Sequence, residues 1–443
     1  RKETFSEGEL VGFVSRQIVE TRQSTKAVAH LFEEMYPDTE IVYVKAGNVS
    51  RFRHGVDDYA KGRKKYEIDE RMKENEFIKV REINDYHHAK DAYLNIVVGN
   101  VFNSKFTSNP YNFFKQKDNT YSMNAMYKFP VTRNGITAWT PTTPEQEGTM
   151  ATVRKMMQKN NIQFTRYSKE VHGGFYDQMI MKKGKGQVPL KGDGAISSIE
   201  KYGGYNKAAG AYFFLVEHTN KGKRIRTIEF MPVYYAAKVR NDENALMLYC
   251  KDVLKLDEPR ILMGKIKFGT LFEYNGFRMH LSGRTGDQLV MINANQLILN
   301  ESYATYVKKL SNFIARKQNN NGAEVDELHD GIYMNNNIEL YDELIDVISN
   351  SVLKVKLDTQ IQNLIEGRQA FELLSAENQS LVLLQILHML QCNKTNTDLS
   401  MIGKGSLVGR VNMPKNISKL GKLYIINQSV TGLFETKVNL LEL

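Results

Sequence analysis

Residues 84–100 read NDYHHAKDAYLNIVVGN. Placed on a helical wheel, Ala89, Ala92, Tyr93, Ile96 and Val97 fall on one arc, which predicts an amphipathic helix with that arc against a core. His88, Asp91 and Asn95 fall together on the polar side, three and four residues apart, where side chains are neighbours on a helix surface. His88 lies nearer the edge of the predicted buried arc than His87, a position from which a ring can reach a cleft while its helix stays packed. Asn84 or Asp85 is placed to cap the helix N-terminus.

An aspartate and a histidine one turn apart have a chemistry. Carboxylate oxygens suit Mg²⁺ or Mn²⁺. Two such ions about 4 Å apart clamp the attacking and leaving oxygens of a phosphodiester, and a nearby imidazole takes the proton of the attacking water. The same spacing is also met by a solvated polar helix face whose histidines bond to neighbours. On spacing alone both readings stay open.

Composition narrows the setting. The 443 residues are long enough for two to four domains, and 42% hydrophobic with 25% charged residues excludes a disordered chain. A net charge of +10 suits a polyanionic partner, nucleic acid foremost, although basic enzymes with other substrates share that balance. Cys250 and Cys392 are the only cysteines and form no CxxC pair, which argues against a disulfide framework or a structural zinc site and predicts a reducing, cytoplasmic setting. No apolar run reaches membrane-spanning length and no signal-peptide pattern opens the chain, so no membrane partner is expected. The first residue is Arg1 rather than methionine, which is read as the mark of a fragment or a processed chain.

Along the chain, 8–36 carries helical periodicity, EIVYVKA (40–46) alternates as a strand does, and 61–74 is polar. Residues 102–150 look irregular, and TMATVRKMMQ (149–158) reads as a short helix. From about 165 to 295 short alternating strands with Gly-rich turns predict a twisted β domain. Helical patterns return from about 297 to 392, and the last 45 residues revert to Gly-punctuated strands, with NNNGAE (319–324) as an exposed loop.

NDYHHAKDAYLNIVVG, preceded by KVRE and by SRQIVETRQSTK, resembles the third RuvC segment of the RNA-guided DNA endonucleases of type II CRISPR systems. The likeness continues in order through TMATVRKMM, VHGGFYDQ, KYGGYNKAAGAYFFLVE and GTLFEYNGFRMHLSGRTG to NQSVTGLFETKVNLLEL, nearly the whole chain. It implies an α/β RNase H-like (RuvC) portion followed by α+β wedge and PAM-interacting domains, where PAM is the protospacer-adjacent motif. The expected boundaries are 1–165 for a linker plus an incomplete RuvC portion, 166–254 for the wedge and 255–443 for the PAM-interacting domain.

The resemblance also implies roles. His88 corresponds to the general base or acid at the scissile phosphate of the strand not paired to the guide, Asp91 to a ligand of Mg²⁺ (Mn²⁺ also serving), and His87 to no assigned role. The family's other two carboxylates match no motif here. The chain is therefore expected to be inactive alone, as the C-terminal half of an endonuclease that needs its N-terminal half. Implied partners are guide RNA (crRNA with tracrRNA, or a single-guide RNA) and PAM-containing target DNA, in a bacterial cytoplasm. Arg16 and Arg22 are expected on guide or DNA backbone, with Lys182, Lys183, Lys185, Lys221, Lys223, Arg224 and Arg226 as further basic clusters that a solvated surface explains equally well. Tyr202 and Tyr205 are placed for RNA contact or core packing.

Asp177, Gln178 and Met179 match the loop that grips the target-strand phosphate beside the PAM, with residue types that differ from well-known members. Well-known members of the family read a GG pair with two arginines in a hairpin. The matching hairpin here, IGKGSLVGRVNMPKNISKLGKL, puts Val411 and Met413 at those positions. Ser406, Arg410, Asn412 and Lys415 are then the candidate readers, Arg410 for a guanine and Asn412 for an adenine, each also compatible with a phosphate contact or a plain turn. A PAM other than GG is expected.

Overall fold

The computed structural model describes residues 23–42, 44, 46–54, 77, 79–105, 130–163, 165–172, 180–181, 187–189, 194–205, 209–319, 331–390, 396–405, 407–408 and 411–443. The chain divides into two compact units, Arg1–Lys79 with Tyr86–Asn160, and Val80–Asp85 with Asn161–Leu443.

In the first unit the described elements are α1 (23–35), α2 (Ala46–His54), α3 (His87–Lys105), the hairpin β1 (Val131–Arg133) and β2 (Ile136–Trp139), and α4 (Thr149–Met157). The hairpin turns on Asn134 and Gly135, both at positive φ, the signature of a type I′ turn whose twist matches its strands. One core joins Val49 and Phe52 of α2, Leu94, Val98, Val101 and Phe102 of α3, Val131 and Trp139 of the hairpin, and Met150, Val153 and Met157 of α4. Phe52 stacks on Phe77 and meets Trp139 edge-on, at 6.0 and 5.9 Å between ring centres. The α4 helix falls where TMATVRKMMQ predicts it.

Two expectations fail here. The described residues of EIVYVKA, 40–42, 44 and 46, belong to no ladder, and α2 begins at Ala46. Alternation makes a strand only beside a partner strand. The segment instead lies along α3, where a Cβ on Gly99 would stand 3.4 Å from Val42 Cγ1. The buried face of α3 also differs from the predicted one. His87, Leu94, Val98, Val101 and Phe102 face inward, Tyr93 and Val97 are half-buried, and Ala92 and Ile96 are exposed, Ile96 at 61%. Apolar residues surround this helix, so periodicity admits two arcs and packing with α2 and the hairpin selects one. The helix starts at His87, two and three residues after the expected caps. The Lys90 N–H donates to the Tyr86 carbonyl, while Asn84 Nδ2 donates to the Leu297 carbonyl and the Asp85 N–H to Gln296 Oε1.

The second unit opens with a small sheet, β3 (Ile180–Met181), β4 (Val188–Pro189) and β5 (Gly204–Tyr205). Then come β6 (Gly210–Asn220), β7 (Lys223–Pro232), α5 (Val233–Val239), α6 (Glu243–Leu248) and β8 (Asp257–Ile266). The sheet order is β7-β6-β8, and Lys221 and Gly222 at positive φ close the β6–β7 hairpin. Because β6 is central and covered on both faces, AYFFLV is an unbroken apolar run: Tyr212, Phe214 and Val216 join the core of α5 and α6, while Phe213 packs on Phe230 and Phe268. This sheet straddles the expected boundary at 254–255, since β8 is a strand of the same ladder.

A six-stranded antiparallel sheet follows, in the order β14-β11-β10-β9-β15-β16. It is built from β9 (Leu271–Tyr274), β10 (Phe277–Thr285), β11 (Gln288–Asn293), β14 (Val411–Pro414), β15 (Leu423–Gln428) and β16 (Glu435–Asn439). Between β11 and β14 the described residues form the helices α7 (Glu301–Asn319), α8 (Met334–Ser349), α9 (Lys354–Glu372) and α10 (Ala376–Leu390), followed by the short pair β12 (Asn396–Thr397) and β13 (Leu407–Val408). Apolar residues at helical spacing pack these helices, with Tyr341 stacked on Phe371 at 4.1 Å. Asn337, fully buried, accepts from the Tyr306 hydroxyl and donates to the Ala376 carbonyl. The stretches 61–74 and 319–324 lie outside the described residues, apart from Asn319 at the end of α7. The helix expected over 8–36 is described only from residue 23.

Candidate catalytic and nucleic-acid sites

The α3 helix brings His87, His88 and Asp91 into one turn. His87 is buried and His88 exposed, the reverse of their predicted order, and the rings lie 4.1 Å apart between centres. Asp91 falls on the inward stripe one turn below His87. Its Oδ1 accepts from the Arg53 guanidinium and its Oδ2 from Lys79 Nζ. Arg53 follows Phe52 on α2, so the packing that buries Phe52 also carries the guanidinium onto α3. The Arg53 carbonyl accepts from the Phe77 N–H at 2.9 Å, which brings Lys79 alongside. Arg53 is only 6% exposed, and burial pulls its pKa down from the usual guanidinium range.

These residues do not by themselves fit a divalent ion. Asp91 is a single carboxylate with a cation on each oxygen, and no cluster of three or more His, Cys, Asp or Glu able to hold a metal exists among the described residues. His88 is exposed and takes no part in the Asp91 ion pairs. Sequence reasoning missed Arg53 and Lys79. The only local signal was RFRH, in which a basic residue adjoins a core aromatic.

In the second unit, β14 alternates cleanly. Val411 and Met413 point into the core, Met413 with 0% exposure, and Asn412 points out. Val411 and Met413 are therefore core positions in this chain. Lys415 does not project as a reader. Its ammonium lies 3.2 Å from Glu229 Oε1 and 3.8 Å from Asp287, and its N–H donates to the Asp287 carbonyl. Glu229, with its side chain 3% exposed, also takes Arg284 at 3.3 Å, a partnership that a buried carboxylate requires. Ser406, Arg410, the loop residues Asp177, Gln178 and Met179, and Lys182, Lys183 and Lys185 lie outside the described residues, as do Arg16 and Arg22.

The remaining basic cluster is half committed. Arg224 and Arg226 both bind Glu217, and Arg226 donates to the Leu440 and Leu443 carbonyls. The hydrogen bond from Arg224 leads the causes that hold Glu217 below the usual carboxylate range. Lys221 and Lys223 stay exposed at the hairpin tip. Tyr202 is partly exposed beneath Lys201, whose ammonium sits 5.2 Å from the ring centre, and Tyr205 is half-buried on β5. Among the described residues no helix is long and apolar enough to cross a membrane.

Comparison with known proteins places both regions. Residues 172–436 match the family model of the PAM-interacting domain of CRISPR-associated endonuclease Cas9, and residues 68–201 match the Cas9 RuvC domain. The chain is 26% identical over 466 residues to the CRISPR-associated endonuclease Cas9 of Streptococcus mutans, an alignment covering 97% of this chain and 32% of that protein. It is 24% identical over 471 residues to the Cas9 of Listeria innocua, covering 98% of this chain and 32% of the relative. The chain thus spans about a third, rather than half, of the length of these relatives. A match over the larger part of its residues, joined to the RuvC match that contains His88 and Asp91, means that the chain belongs to the CRISPR-associated endonuclease Cas9 family.

Proposed function

We propose that this chain supplies the third RuvC segment and the PAM-interacting region of an RNA-guided, DNA-cutting endonuclease. The observation that carries the proposal is the occurrence, in one polypeptide, of a RuvC match around His88 and Asp91 and a PAM-interacting match around an edge strand with an outward carboxamide. Guide RNA and PAM-bearing DNA are its partners in this reading, and the net charge of +10 favours both. The first unit contributes to an RNase H-like domain that acts on the strand not paired to the guide. His88 moves the proton of the attacking water, and Asp91 joins carboxylates contributed by other segments of the endonuclease.

Two features support completion from elsewhere: Asp91 is a single carboxylate, and Ile96 is exposed on the same helix. The requirement for Mg²⁺ or Mn²⁺ belongs to that completed site. A second reading, binding without catalysis, is favoured by one observation: Arg53 and Lys79 already saturate Asp91.

Nicking of a guide-matched, PAM-bearing plasmid distinguishes the two. The chain is assayed alone and together with the rest of its endonuclease, each with and without His88→Ala. Nicking only in the combined sample, lost with His88→Ala, supports the catalytic reading. DNA binding without nicking in every sample supports the second.

A further inference from the structure

The outward face of the β14–β11 ribbon holds a residue that the hairpin sequence does not contain. In the antiparallel register Asn412 stands opposite Val290, and Pro414 opposite Gln288. Asn412 and Gln288 are therefore diagonal neighbours on one face, and both are exposed. Thr285 of β10, also exposed, stands opposite Gln288 on the same face. Val290, between them in the register, is itself buried. A Cβ on neighbouring Gly283 would meet nothing within 4 Å, so the face is open there. The opposite face, with Val411, Met413, Leu289 and Met291, is buried.

The ribbon is held firmly. Beyond β14 the chain crosses to β7, where the Ile228 N–H donates to the Lys415 carbonyl and the Ile417 N–H to the Arg226 carbonyl, both within 3.0 Å. Glu229 ties Lys415 and Arg284 together beneath it. Among the described residues β14 is an edge strand, with no neighbouring strand on one side of the ribbon.

We propose that Gln288 is a specificity-determining residue that reads the PAM together with Asn412, and that this face selects adenine at two positions. The inference rests on the proposed PAM-reading function. A two-stranded ribbon fits the major groove, and a carboxamide pairs in bidentate fashion with adenine N6 and N7. Diagonal residues on a strand pair are about 7 Å apart, which is about two rises of a DNA strand at roughly 3.4 Å each. The two adenines are therefore two steps apart. Asp287, exposed at the adjoining turn, is partly neutralised by Lys415 and does not share the face.

The test is PAM-library depletion with the guide-loaded endonuclease carrying this chain, either unchanged or with Gln288→Glu, Gln288→Ala or Asn412→Ala. The unchanged complex is expected to enrich adenine at two positions two steps apart. Gln288→Ala should weaken selection at one of them by about tenfold and leave the other. Gln288→Glu should turn that position towards cytosine, whose N4 a carboxylate accepts; a merely structural role would not change base identity. Asn412→Ala should affect the other position. Enrichment of specific bases that Gln288→Glu leaves unchanged overturns this inference alone. A complex that enriches no base at any position overturns the PAM-reading function beneath it.

Discussion

Replacing Asp91 tests the folding of the first unit as well as its chemistry. Arg53 is 6% exposed, and its guanidinium is matched by the Asp91 carboxylate. Removing one partner of a fully buried ion pair costs about 3–5 kcal/mol, because the other charge is left in a poor solvent. Asp91 itself is 27% exposed and shared with Lys79 at 24%, so water screens part of the effect. The expected cost of Asp91→Ala is about 2–3 kcal/mol, whereas Lys79→Ala, which removes the better-hydrated cation, should cost about 1 kcal/mol or less. Arg53→Met with Asp91→Leu should recover most of the loss, since an apolar pair of similar volume replaces the ionic one without an orphaned charge. Urea unfolding of the 443-residue chain, followed by fluorescence of Trp139 in the core of that unit, measures all three. Equal midpoints for Asp91→Ala and Lys79→Ala would refute the reasoning, as would a double variant less stable than Asp91→Ala. If the expected order holds, lost nicking in an Asp91→Ala endonuclease cannot be assigned to chemistry alone.

Burial holds His280 down to about 4 against an ordinary 6.5, aided by the charge of Arg166 and opposed by its Nδ1–H bond to the Gly269 carbonyl. The unfolded chain therefore binds this proton first as pH falls, and stability of about 3 kcal/mol, full above 6.5, is lost between there and 4. His280→Asn should flatten the urea midpoint across that window, and an imidazole NMR midpoint near 6.5 would contradict it. Met413→Arg, which puts a guanidinium at a position with 0% exposure, should unfold the end of β14 at a cost of several kcal/mol. Asn412→Ala should instead leave thermal stability within about 0.5 kcal/mol. Gly210→Ala should cost about 1–3 kcal/mol by differential calorimetry, because a Cβ there would collide with the Phe230 ring and stand 3.0 Å from Phe268 Cζ.

What the sequence determined by itself was local. Turn chemistry in KG and NG set the I′ hairpins at Lys221 and Asn275, since glycine tolerates the positive φ that the second turn position needs, whereas the NG hairpin at Asn134 falls in 102–150, which reads as irregular. Periodicity placed α4, α7, α8 and α10, where apolar residues occupy one stripe, but did not separate α9 from α8. Motif order identified the family. Tertiary structure decided the rest, because the deciding partners are distant in sequence. The α3 helix is apolar nearly all round, so its wheel could not say which arc is buried; Phe52, Trp139 and Val131 chose Leu94 and Val98 over Ala92 and Ile96. Alternation in 40–46 could not supply the neighbouring strand that a ladder needs. The counter-ions of Asp91 lie 38 and 12 residues away, and those of Glu229 lie 55 and 186 away. A carboxylate's environment is set by charges within a few ångströms in space. No pattern within one segment reports them, so the state of Asp91 and the inward turn of Lys415 became legible only in the folded chain.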